Sequence, residues 1–214
     1  MTESSRQCIL YVIVKTLFAD HKLLVKHNSA MQGVYTIADL RNLFMPSSKV
    51  ELYRRIQGLL DNHVLYRFCN TIYVTEDFSL EAVSCRINPQ SYISCGNVLS
   101  RHLLIGVRPQ KAVTAIKVGR SREYGGELGT VVHLGIASHL MFGYDFQEGI
   151  RRADMEKAYL DTLYFHQKGH RFSFDVLTDI DAPRLDRSRV LDYLNHYRNP
   201  RFKRFVENCL ADGD

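Results

Sequence analysis

The chain has 214 residues, of which 45% are hydrophobic and 24% charged, with 12 Tyr and 11 Phe. That balance excludes wholesale disorder and supplies enough apolar surface for one large or two small domains. The longest apolar run, Ile9 to Val14, falls far short of the about 20 residues a membrane-spanning helix needs. It also lacks the small-residue cleavage site of a secretion signal. The expectation is a cytoplasmic protein with no membrane segment.

Net charge is +5 and unevenly spread. Residues 1–75 hold nine Lys/Arg against five Asp/Glu, so +4, while residues 76–214 hold nineteen against eighteen, so +1. A basic front end points to an anionic partner there. The five cysteines, Cys8, Cys69, Cys85, Cys95 and Cys209, are odd in number and form no C-x-x-C pair. This argues against a disulfide framework or a structural zinc site, and for reduced thiols.

In chain order, Cys8–His27 is apolar at helical spacing through Leu10, Ile13, Val14, Leu17 and Phe18, with Gly33 in the loop that follows. Thr36, three residues before Asp39, caps a short helix with Ile37, Leu40, Leu43 and Phe44 on one side. Met45-Pro46 ends it. Ser47 or Ser48 caps a third helix, with an apolar stripe of Val50, Tyr53, Ile56, Leu59 and Leu60. Val64–Phe68 and Thr71–Thr75 read as strands joined at Cys69-Asn70. Helix, helix, helix, strand, turn, strand is the outline of a winged helix-turn-helix, here residues 1–78.

Residues 79–214 read as a mixed α+β domain. A break falls at Asn88-Pro89, and Ser94 is placed to cap a helix through His102. Residues 111–118 and 130–136 look like strands, the Gly-rich piece between them like a hairpin loop, and His139–Phe142 like a further strand. Asp154 caps a helix ended by Gly169, and two more helices fit Asp186–Tyr197 and Pro200–Leu210. The fold class is therefore α+β, an N-terminal winged helix-turn-helix followed by a mixed α+β C-terminal domain.

The third helix carries the functional expectation. Rotation by 100° per residue takes Lys49, Arg54 and Arg55 off its apolar stripe, with Ser47 and Ser48 at its start. In a helix-turn-helix that end enters the major groove, where Arg and Lys bind guanine edges or phosphates and the helix N-terminus favours phosphate. Arg67 and Asn70 fall at the wing tip, and Arg41 on the second helix is placed for phosphate. The alternative is a solvated basic face on a domain that binds protein. Two further basic stretches stand between a nucleic-acid surface and an ordinary solvated face. One is Arg101, Arg108, Lys111, Lys117, Arg120 and Arg122. The other runs from Arg184 to Arg204, set against Asp181, Asp186 and Asp192.

Enzyme motifs are weak. The loop Gly119–Gly129 lacks G-K-[ST], and G-x-S-x-G is absent. Asp175, Asp179 and Asp181 match no calcium loop, and His166 and His170 have no carboxylate at metal-site spacing. Glu156 and Asp161, five apart on one helix, do not share a face. No catalytic residue, metal or cofactor is expected.

Three segments carry a family likeness: T-I-A-D-L-R-N-L-F with V-E-L-Y-R-R-I-Q-G-L-L-D-N-H-V-L-Y-R and I-Y-V-T; Q-S-Y-I-S-C-G-N-V-L-S-R-H-L-L-I; and M-E-K-A-Y-L-D-T-L-Y-F, Met155 to Phe165. Over residues 35–168 the chain resembles AbiEi-type antitoxins, the DNA-binding half of type IV toxin–antitoxin systems. It departs from them in having Met155 before the Glu and Cys69-Asn70 in place of a wing glycine. The resemblance implies a repressor that binds inverted repeats at its own promoter and neutralises a nucleotidyltransferase-type toxin. Ser47, Ser48, Lys49, Arg54 and Arg55 then map onto the recognition helix and Arg67 and Asn70 onto the wing. The alternatives are a protein-interaction module or a solitary regulator without a toxin.

Overall fold

The computed structural model describes residues 3–107 and 110–211, with side chains in the first helix described from residue 14 onward. Leu10, Ile13 and Arg108 lie outside the described side chains. The chain divides into two compact units, Met1–Arg86 and Ile87–Asp214. Among the described residues it is a mixed α+β protein with eight helices and two sheets.

Unit 1 contains α1 (Glu3–Met31), β1 (Val34–Thr36), α2 (Ile37–Phe44), α3 (Lys49–Asp61), β2 (Tyr66–Cys69), β3 (Ile72–Val74) and most of α4 (Leu80–Ile87). The start of α2 is fixed as its residues predict: Thr36 Oγ1 accepts from the Asp39 amide at 3.1 Å, and the Asp39 carboxylate accepts from the Thr36 amide at 2.8 Å. Met45 ends that helix in the left-handed region, at φ 44°.

The core of unit 1 holds Leu24, Tyr35, Leu40, Phe44, Leu52, Ile56, Leu59, Leu65 and Tyr73. The buried stripe of α3 is thus Leu52, Ile56 and Leu59, while Val50 and Tyr53, expected in it, face outward. Two overlapping stripes exist in this helix, and the one of Leu and Ile at i, i+4, i+7 is the better fit to a single face. α1 is likewise turned: Leu24 is buried, Leu17 and Leu23 are partly so, and Val14 and Phe18 are exposed.

β1 was not apparent from three residues between two helices. It pairs antiparallel with β3, Val34 opposite Val74, in a sheet of order β1-β3-β2. Gly33 makes the entry possible. Its φ is +71°, and a Cβ there would stand 2.3 Å from the Asp77 carbonyl oxygen. The unit ends eight residues beyond position 78 because the start of α4 belongs to it. Arg86 pairs with Asp39 at 3.6 Å, and the Ser79 amide donates to the Gln32 carbonyl.

Unit 2 contains β4 (Tyr92–Ile93), α5 (Gly96–Arg101), β5 (Ala112–Val118), β6 (Arg122–Gly126), β7 (Gly129–Ile136), β8 (Tyr144–Gln147), β9 (Ile150–Ala153), α6 (Met155–Gln167), α7 (Arg187–Leu194) and α8 (Pro200–Ala211). The sheet order is β6-β7-β5-β4-β9-β8. The Gly-rich stretch is not a loop closing a hairpin: it forms β6, antiparallel to β7, and leaves β5 and β7 parallel. The strand expected at His139–Phe142 is instead a 3-10 turn at Ser138–Leu140. Ser94 does not cap α5, because Cys95 holds the cap position and the Ser94 hydroxyl is used elsewhere. α6 is capped by Asp154, and residues Glu156–Leu163 and Phe165 are all buried.

Candidate nucleic-acid interface

The start of α3 is a closed set of hydrogen bonds. Ser48 Oγ accepts from the Glu51 amide at 3.1 Å. The Glu51 carboxylate accepts from the Ser47 amide at 2.9 Å and the Ser47 hydroxyl at 2.6 Å. The Ser47 bonds hold the Glu51 carboxyl below the usual carboxylate range. Both serines expected on the interface therefore serve the cap, and the positive pole of the helix is already faced by Glu51. The phosphate expected at that helix end meets a carboxylate there.

Arg55 corrects the sequence expectation further. Its Nε donates to Asp20 Oδ2 at 2.8 Å, its Nη2 to Asp20 Oδ1, and its Nη1 to the Phe44 carbonyl at 3.0 Å. The guanidinium lies 5.0 Å from the Phe44 ring. The Arg55 side chain is 13% exposed and that of Asp20 1%. Hydrogen bonding to Asp20 raises the Arg55 pKa further above its ordinary value. This arginine ties α3 to α1 and is largely withdrawn from solvent.

Lys49 and Arg54 face solvent on the same helix, and the Arg54 charge acts on the Glu51 carboxyl. Lys49 Nζ lies 5.9 Å from the Tyr53 ring. Arg41 on α2 is exposed. Arg67 on β2 is exposed, its guanidinium 5.7 Å from the Tyr73 ring, and Asn70 sits in the β2–β3 turn. Sequence reasoning missed three exposed apolar residues near these cations: Met45, Val50 and Tyr53. No local signal separates Val50 from the core stripe. It also missed Asp20, which stands 35 residues before its partner.

In unit 2 the segments Y-I-S and E-K-A-x-L-D meet as one buried polar network. Lys157 Nζ stands 2.5 Å from Asp161 Oδ1 and donates to the Tyr197 hydroxyl at 3.1 Å. Asp161 Oδ2 accepts from the Tyr92 hydroxyl at 3.0 Å and from Ser94 Oγ at 2.8 Å. Burial, then the Asp161 charge, pushes both tyrosines well above their ordinary values. Cys95 sits in a strand-to-helix elbow at φ 54°, ψ −139°, but burial pushes its thiol up and keeps it protonated. A buried thiol of that kind is inert. Glu156 Oε1 accepts from the Asp186 amide at 3.2 Å. Asp175 accepts from the Leu177 and Thr178 amides. Glu156, Asp161 and Asp175 thus each have a partner within the fold.

Of the other basic stretches, Lys117 is buried and donates to the Arg120 carbonyl, while Lys111, Arg120 and Arg122 are exposed. In the tail Arg184 pairs with Asp181 at 3.9 Å and Arg189 with Asp154 at 2.8 Å. Among the described residues no group of three His, Cys, Asp or Glu is placed to hold a metal, and no helix is long and apolar enough to cross a membrane. No model of a known protein family matches the chain, and no curated protein does.

Proposed function

We propose that unit 1 is a winged helix-turn-helix that binds double-stranded DNA through α3 and the β2–β3 hairpin. The protein would be a sequence-specific repressor of its own promoter and the antitoxin partner of a nucleotidyltransferase-type toxin. The observation that carries the DNA-binding part is the outer face of α3, where the cations Lys49 and Arg54 stand exposed to solvent. Support comes from the element order, with α2 and α3 joined by a short turn, β1 closing the sheet on β3, and Arg67 and Asn70 on the hairpin. The antitoxin role rests on the sequence resemblance and needs no cofactor. Arg55, Ser47 and Ser48 drop out of the contact set, which leaves Lys49, Arg54, Arg41, Arg67 and Asn70.

The test is an anisotropy titration of the full chain on its own upstream DNA and on a scrambled duplex at several salt concentrations. Specific binding is expected, with log K falling against log salt at a slope of about −5 if about six phosphates are neutralised. Arg54→Ala is expected to weaken the specific complex by about 1–3 kcal/mol if it reads a base. Equal, weak binding to both duplexes that vanishes at moderate salt would overturn the regulator. It would favour a protein partner for this face, to which exposed Met45, Val50 and Tyr53 are also suited.

A further inference from the structure

Val50 is 79% exposed at the second residue of α3. The core side of the helix is supplied by Leu52, Ile56 and Leu59, so Val50 contributes nothing to packing. A β-branched residue is also a poorer helix former than alanine, so local structure does not require it. The first turn of a recognition helix is the part that faces base edges. Here the polar side chains of that turn are occupied: Ser48 by the Glu51 amide, and Ser47 and Glu51 by each other. Arg55, one turn on, is held by Asp20. What the turn still presents is the apolar surface of Val50, with Lys49 before it, the Glu51 carboxylate after it and the exposed Arg54 one turn on, a cation that complements a phosphate backbone.

The one apolar feature of base edges in the major groove is the 5-methyl group of thymine. We propose that Val50 recognises a thymine methyl, so that the DNA bound by this protein carries a thymine opposite the first turn of α3. This rests on the DNA-binding reading above. The stiffness of valine at χ1 suits the role, because its methyl groups are held in place before contact and little rotamer freedom is lost.

The experiment begins with selection of duplexes from a random pool by the full-length protein. In the best duplex each thymine is then replaced singly by deoxyuridine, which removes the methyl and leaves the hydrogen-bonding edge intact. At one position per bound copy the native protein is expected to lose about fourfold in affinity, the value of burying one methyl-sized group. Val50→Ala, which keeps only the Cβ methyl, is expected to narrow the difference between the thymine and deoxyuridine duplexes at that position. Because Val50 is exposed and alanine favours helix, the variant is expected to melt at or above the native temperature. If every thymine replacement costs the variant what it costs the native protein, the assignment to Val50 is overturned. If selection enriches no sequence and all duplexes bind alike, the DNA-binding reading itself falls, and this inference with it.

Discussion

Arg54 and Arg55 are adjacent, identical in chemistry, and opposite in setting. One helical step of 100° takes Arg54 to solvent and Arg55 to the Asp20 carboxylate on α1. Sequence periodicity puts both off the apolar stripe, but the partner that separates them lies 35 residues away. His133 shows a second effect of burial. Burial, and then the nearby Lys117 charge, push it down to about 4 from an ordinary 6.5. Between those values the unfolded chain takes up a proton that the folded one refuses. Its contribution to stability is therefore complete above about pH 6.5 and falls by about 2–3 kcal/mol as pH drops toward 4. Urea unfolding of the native chain at pH 7 and pH 4.5 should show the loss. His133→Gln is expected to flatten that part of the profile whatever it does to the midpoint.

Elements were legible where the determinants are local. The Thr36–Asp39 box, the Ser48 cap and the Asp154 cap all lie within four residues of what they fix, and α2, α3 and α6 stand where their residues predict. β1, β6, β8 and β9 were not legible. They are short or Gly-rich, and pairing rather than propensity makes them strands. The candidate interface was half legible: Lys49, Arg54 and Arg67 are exposed as expected, whereas long-range contact and capping removed Arg55 and the serines. The chemistry of α6 was hidden for the same reason, since the hydroxyls that serve Asp161 lie 67 and 69 residues earlier. Asp161→Ala leaves Lys157 buried and without its carboxylate, so it is expected to cost about 3–5 kcal/mol. The pair replacement Lys157→Met with Asp161→Leu should cost less than the single change, because no charge is left behind. Chemical denaturation of the two variants beside the native chain measures the difference.

At the scale of the whole molecule the two units have separate polar anchors, Asp20–Arg55 in one and Lys157–Asp161 in the other. Multidomain chains depart from a single all-or-none transition. Asp20→Ala is expected to lower one calorimetric transition and Asp161→Ala another, and a common shift of one peak by both would show that the units unfold together. The second anchor also sets a timetable. Synthesis adds about 5–20 residues per second. Tyr92 and Ser94 therefore leave the ribosome several seconds before Asp161, and Ile93 waits nearly as long for Arg152 on the strand beside it. In that interval the β9-facing edge of β4, one of the two middle strands of the sheet, is open to pairing with a neighbouring chain on the same message.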